Sequence, residues 1–275
     1  MKLALTELRR RPGRFSVAAV ILTLIAILLM FLGGLLDGLI ASSTGAIRAQ
    51  NADAIVYSDT AQASFVRSRI EPQTKAEVEA VPGVTEVGGI GNVQLGARIP
   101  GKGPRDLAGV ALFGYELAPD GVPDAPAAGQ AWADDILESD GVEVGMIIEV
   151  GPARSPIEIV GFVTDTTFNG QASLWASPDT WRDVLSANRP DAQLGPDVWQ
   201  GLIVRGDGDD LPAAIDAATG GATESYTVEG AIDAIPGVSE QTATFNQIIG
   251  VTIAIALVVI GLFFALLTVE RTSLY

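Results

Sequence analysis

The sequence predicts two α-helical transmembrane spans around an α+β extracytoplasmic domain of two lobes, a split α/β lobe with a small β-rich insertion. Three observations predict this. Two stretches of 22 residues, 15–36 and 248–269, carry no charged side chain. Charge is partitioned along the chain: residues 1–14 sum to +4, while residues 41–245 hold 11 basic and 30 acidic side chains. Between the apolar stretches, short β-like runs alternate with helix signals, the pattern of α/β and α+β folds.

Each apolar stretch is about 33 Å long at ~1.5 Å per residue, enough for a ~30 Å hydrocarbon layer. Both are apolar all round, unlike the one-sided stripe of a surface helix. The first is also longer than the ~7–15-residue apolar core of a cleaved secretory leader. Residues 1–14 form a basic leader with Lys2, Arg9, Arg10, Arg11 and Arg14. Basic residues beside a span stay in the cytoplasm. The expected topology is therefore a cell (plasma) membrane protein with a cytoplasmic leader and a first span over 15–38. Residues 41–245 lie outside, 248–269 cross back, and 270–275 are cytoplasmic.

The spans carry small residues at helix-packing spacing: Gly34 and Gly38 in the first, Gly250 and Gly261 in the second. Small residues let backbones approach, and packing drives helix association in lipid. Asp37 follows the first apolar run and is expected as an interfacial cap. A polar group on a substrate path is the alternative, with Met30 and Phe31 beside it.

The external segment is far too long for a connecting loop. Residues 54–57 read as a strand. Thr74 to Glu77 has capping-box spacing and opens a helix that Pro82-Gly83 ends. Residues 84–93 and 107–113 read as strands. Residues 130–133 and a short helix over 134–139 follow. Residues 146–150 and 157–163 read as strands paired across a turn. Ser177-Pro178 is an N-cap with proline at the first helical position. Residues 200–204 form a strand, Asp210-Leu211-Pro212 starts a helix through 218, and 222–228 returns as a strand. Lobe one is expected from 52–115 with 198–240, and lobe two from 125–190. Residues 80–86, AVPGVTE, echo residues 234–240, AIPGVSE, as two helix–Pro-Gly–strand units.

Composition excludes much chemistry. The chain has no cysteine and no histidine, which removes disulfides, thiol nucleophiles and histidine bases or metal clusters. A net charge of −16 is the wrong sign for binding nucleic acid. Gly91 to Gly96 has the glycine spacing of a P-loop, but Ala97 stands where phosphates need a lysine. Asp207, Asp209 and Asp210 are expected as a solvated turn rather than a cation site. Asp134-Asp135 is expected as a solvated helix start. Trp132, Trp175, Trp181 and Trp199 are expected in a core, with a partner surface as the alternative.

The leader ELRRRPGR (residues 7–14), one span, a long external segment and a second span ending VER (269–271) resemble the FtsX/MacB-like permeases of ABC transporters. AVPGV (80–84), GVEVG (141–145) and IEIVGFVTD (157–165) are similar to that family's extracytoplasmic domain. The resemblance implies an exporter permease that is not itself an enzyme, with ATP bound and hydrolysed on a separate ABC ATPase subunit. It implies a homodimer, or a dimer with a related permease, in membrane lipid. It also implies that 270–275, with Glu270 and Arg271, begin the segment that couples to the ATPase. Family permeases have four spans, so the sequence is expected to be part of a longer protein. No cofactor is expected in the chain. Hemin is a possible substrate, because hemin-exporter permeases look similar in leader and insert. The alternative function is a regulator that transports nothing and transmits ATPase motion to external cell-wall hydrolases.

Overall fold

The computed structural model describes residues 12–272 apart from 104, 209, 236 and 237. The chain divides into two compact units, one of them Leu39–Ser239 and the other formed by the segments on either side of it.

Helix α1 (Pro12–Arg48) starts with a proline, whose missing N–H costs nothing in a first helical turn. Only 6% of its apolar window is buried. Val20, Leu24, Ile27, Met30 and Phe31 stand exposed, Met30 to 78%. A core helix of a soluble protein would bury that surface, so this one calls for an apolar medium. The helix contains the expected span of 15–38 and continues beyond it to Arg48. Asp37 is therefore an exposed residue inside a helix and caps no helix end.

Beyond α1 come β1 (Ala54–Ser58), α2 (Pro72–Glu79), β2 (Val84–Arg98), β3 (Leu107–Tyr115), β4 (Gln130–Asp134) and α3 (Ile136–Ser139). Then follow β5 (Ile147–Val150), β6 (Ser155–Val163), β7 (Ala172–Ala176), α4 (Pro178–Asn188) and β8 (Gly201–Gly206). The chain closes with α5 (Leu211–Ala218), β9 (Thr223–Tyr226), α6 (Val228–Ala234) and α7 (Val238–Thr272). The strands form a sheet in the order β3-β7-β4-β6-β5-β2-β8-β1-β9, and β2 also pairs with β3. That extra pairing closes β3, β7, β4, β6, β5 and β2 into a barrel, from which β8, β1 and β9 extend. Closure requires alternate residues to share one interior. Val93, Leu112, Ala133, Ile148, Ile159 and Leu174, one from each barrel strand, accordingly belong to a single buried cluster.

Strand β2 has 15 residues and serves both regions. Its residues 84–90 pair with β8, and 90–98 pair with β3. The two expected lobes thus share one sheet, and β3, assigned to lobe one, lies in the barrel between β2 and β7. The glycines of β2 make space. Gly91 and Gly114 are cross-strand partners, and a Cβ on either would lie within 2.5 Å of the Trp181 side chain of α4.

The helix starts at Ser177 and Asp210 follow the sequence reading. Each side chain accepts a hydrogen bond from the amide three residues on. The capping box is corrected. Helix α2 begins at Pro72, whose fixed φ suits the first position, and Thr74 lies inside it. The internal echo is corrected too. Residues after 82–83 form β2, whereas Val238 and Glu240 lie in helix α7. Pro236 and Gly237 lie outside the described residues.

Helix α7 has 35 residues, and none of its apolar window is buried. The described chain thus contains two helices long and apolar enough to cross a membrane.

Candidate functional site

The end of α1 is a run of small residues, Ser42-Ser43-Thr44-Gly45-Ala46, that lets another backbone approach closely. A Cβ on Gly45 would lie 2.6 Å from the Asp165 carbonyl oxygen and 2.9 Å from the Thr167 amide nitrogen. Only glycine permits that approach. The loop that comes so near, residues 165–171, hydrogen-bonds to the helix through the main chain. Ala46 N–H donates to Thr167 O at 3.1 Å. Asn169 N–H donates to Ser43 O, and Gly170 N–H to Ser42 O, each at 3.0 Å. Thr44, Ala46 and Ile47 are buried there to 1% exposure or less.

The loop is fixed from its own side. Asp165 and Asn169 have φ of 57° and 50°, a left-handed conformation that these two residue types tolerate. Asp134, expected as a solvated helix start, is instead 1% exposed. Its carboxylate accepts from Thr166 N–H at 2.9 Å, Thr166 Oγ1 at 2.8 Å and Ile136 N–H at 3.2 Å. Three hydrogen bonds offset the cost of burying it, and they pin the loop to β4 and α3. Phe168 packs into an aromatic cluster, 5.4 Å from Phe113 and 6.5 Å from Phe65, which contains Trp175, Ala46 and Ile47 as well. The site is a rigid socket gripping the last turns of α1.

The tryptophans belong to cores. Trp175, Trp181 and Trp199 are buried, and half-buried Trp132 donates to Asp124 O at 3.2 Å. Trp181 and Trp199 stack at 5.6 Å, and Arg182 lies 4.7 Å over the Trp199 ring. Partial burial pulls the Arg182 guanidinium below its ordinary value, with Asp197, Glu116 and Asp179 opposing. Arg182 donates to Gly195 O and Val198 O, and Lys75 pairs with Glu116 at 2.6 Å. The cations of this cleft are paired within it, while Trp181 Nε1 is buried without a hydrogen-bond partner.

The residues expected in the spans are not brought together. Met30, Phe31, Gly34, Asp37 and Gly38 are exposed, as are Gly250 and Gly261. A Cβ on Gly34, Gly38, Gly250 or Gly261 would meet nothing within 4 Å. Glu270 and Arg271 lie in α7, residues 273–275 lie outside the described residues, and so do residues 1–11 of the leader. Among the described residues no group of three carboxylates is placed to hold a metal ion. Asp210 caps α5, and Asp209 lies outside the described residues.

No family model matches the chain, and no curated protein does. Among solved structures, it is similar to the periplasmic region of MacB from Actinobacillus actinomycetemcomitans. That likeness has 9% identity and a TM-score of 0.44, and covers 70% of this chain and 96% of that one. It is also similar to the extracellular domain of the noncanonic ABC-type transporter YknZ from Gram-positive bacteria. There the identity is 12% and the TM-score 0.40, over 64% of this chain and all of that one.

Proposed function

We propose that the chain is a permease subunit of an ABC-type exporter. A partner ATPase hydrolyses ATP in the cytosol, and the permease moves a hydrophobic or amphipathic substrate outward. One observation carries this reading: the 37-residue α1 contains a membrane-length apolar stretch and ends gripped by the 165–171 loop. A helix transmits force along its hydrogen-bonded axis, and no flexible linker interrupts this one. Displacement of its cytoplasmic end is thereby passed to the socket and the barrel behind it.

In this reading residues 1–14 stay in the cytoplasm, 39–239 lie outside, and Glu270 with Arg271 begin the segment that meets the ATPase. Gly34, Gly38, Gly250 and Gly261, open within this chain, are the close-packing positions for a second permease chain. Met30, Phe31 and Asp37 face the substrate path or that interface. The test is affinity purification of the tagged chain from its own membranes. An ATP-binding-cassette subunit should co-elute with ATPase activity. Elution of the chain with no ATP-hydrolysing subunit would overturn the proposal.

A further inference from the structure

Arg48, the last residue of α1, folds back along its helix: Nη2 donates to Ala41 O at 3.4 Å. Ala41 follows Leu39 and Ile40, the last bulky apolar residues before the small-residue run, and lies about 10 Å before Arg48 at ~1.5 Å per residue. The guanidinium is thereby carried back to the level where the apolar stretch ends. Long basic side chains snorkel in this way to reach the headgroup layer of a membrane, roughly 5–8 Å thick. Arg48 forms no ion pair with a described residue, and Asp37, the only carboxylate of α1, is not joined to it. Residues 59–69 lie beside this end of α1. The Phe65 ring is 6.5 Å from that of Phe168, whose main chain bridges to Thr44. Ala61 and Ala63 share a buried cluster with Ala46 and Ile47. Beyond Phe65 the chain turns outward: Val66 is 52% exposed, Arg67 is exposed and Arg69 half-buried. Arg67 is steadied by Gln62 Oε1 at 2.8 Å, and Arg69 by the Val66 and Ser68 carbonyls at 3.0 and 2.6 Å. Neither has an anionic partner among the described residues.

We infer that this face, Arg48 with Val66, Arg67 and Arg69, rests on the outer leaflet and binds the headgroup phosphates of anionic phospholipid. Charge selects that occupant. Residues 41–70 hold three arginines against Asp53 and Asp59, within a segment, 41–245, of 11 basic and 30 acidic side chains. Guanidinium groups take phosphate through paired hydrogen bonds, and Val66 between them suits the acyl boundary. A zwitterionic lipid carries its own ammonium beside the phosphate, so a net-negative headgroup is preferred. The bilayer is also already present along α1, which gives its lipids a high effective concentration at Arg48. The inference rests on α1 crossing the membrane and is independent of what the permease moves.

The experiment places the full chain in nanodiscs of phosphatidylcholine with increasing phosphatidylglycerol. Val66→Cys, unique in a chain without cysteine, carries a fluorophore, and lipid spin-labelled at the headgroup should quench it. Hydrogen exchange over 42–48 and 62–69 should slow as phosphatidylglycerol is added. Arg48→Gln and Arg67→Gln should each raise the phosphatidylglycerol content needed for half the effect by about fivefold. Both arginines are exposed, so these variants keep the fold. Arg154→Gln, on the turn between β5 and β6, should leave the response unchanged. Absence of quenching at position 66, equal protection in phosphatidylcholine alone, or a wild-type lipid response in the Arg48→Gln/Arg67→Gln double variant would overturn the inference. So would protection that follows protein concentration rather than lipid charge, which would assign the face to a second copy of the chain. No ATPase enters the measurement, so its failure is separate from a failure of co-purification.

Discussion

Replacing Gly45 with alanine tests the socket directly. The added Cβ would sit 2.6 Å from Asp165 O and 2.9 Å from both Thr167 N and Thr167 O, all main-chain atoms that cannot swing aside. The structure has two ways to respond. It can keep the contact and accept overpacking, at about 1–3 kcal/mol. Or the helix can back away and weaken its bonds from Ala46, Asn169 and Gly170. Each of those is worth about 0.5–1.5 kcal/mol net. Alanine returns up to ~1 kcal/mol of helix propensity against either cost. A net loss of up to about 3 kcal/mol remains, which lowers Tm by up to roughly 12 °C at the ~2–4 °C per kcal/mol of a domain this size. Thermal unfolding in detergent, followed by fluorescence of the buried Trp175 and Trp181, reads the shift. Hydrogen exchange at Asn169 and Gly170 locates it. Gly33→Ala is the internal control, because its Cβ meets nothing within 4 Å and the residue is not among the proposed packing positions. That variant should be neutral or gain up to ~1 kcal/mol from propensity. A Gly45→Ala variant as stable as Gly33→Ala, with wild-type protection of the loop, would refute the reasoning.

Three further outcomes follow from the same packing. Trp181→Ala empties the pocket above Gly91 and Gly114 and should cost about 3–5 kcal/mol in a denaturant titration. Asp134→Ala orphans the Thr166 and Ile136 donors and should cost about 2–5 kcal/mol, with exchange rising first in the 165–171 loop. Burial, and then the neighbouring Tyr226, push the Tyr57 phenol above its ordinary value. Below about pH 10 the phenol is protonated in both states and stability is unaffected. Above it the unfolded chain releases the proton first, so stability falls by up to ~1.4 kcal/mol per pH unit. Denaturant midpoints between pH 8 and 11 should show that fall, and Tyr57→Phe should reduce it, leaving the part due to Tyr115 and Tyr226, whose phenols burial also raises.

The apolar stretches were legible because membrane length and absence of charge are local properties. So were β1, β3, the β5–β6 hairpin and the caps at Ser177 and Asp210, each announced by neighbouring residues. The end of α1 was not, because Ser42-Ser43-Thr44-Gly45 reads as a breaker until a loop from residues 165–171 supplies its partners. The burial of Asp134 had the same origin, since its donors lie at Ile136 and at Thr166 across the barrel. Strand β7, ASLWA, is buried at every position, so it lacks the alternation that marks a half-exposed strand. Barrel closure rests on β2, which pairs with β3 through residues 90–98, beyond the 84–93 that read as a strand, and whose Gly91 admits Trp181. One signal for the socket was present: a cluster of small residues directly after an apolar run, where a helix gains nothing from being slim unless another backbone lies against it.

The central claim is that α1 and α7 cross a bilayer and present residues 39–239 on its outer face. The chain has no native cysteine, so one introduced cysteine reports alone. Glu143→Cys, at an exposed position, and Lys2→Cys, in the basic leader, would each be treated in intact cells with a membrane-impermeant maleimide. Labelling of position 143 in intact cells, with position 2 labelled only after lysis, is the result this account predicts. Protection of position 143 until lysis, or recovery of the chain in the soluble fraction without detergent, would contradict it.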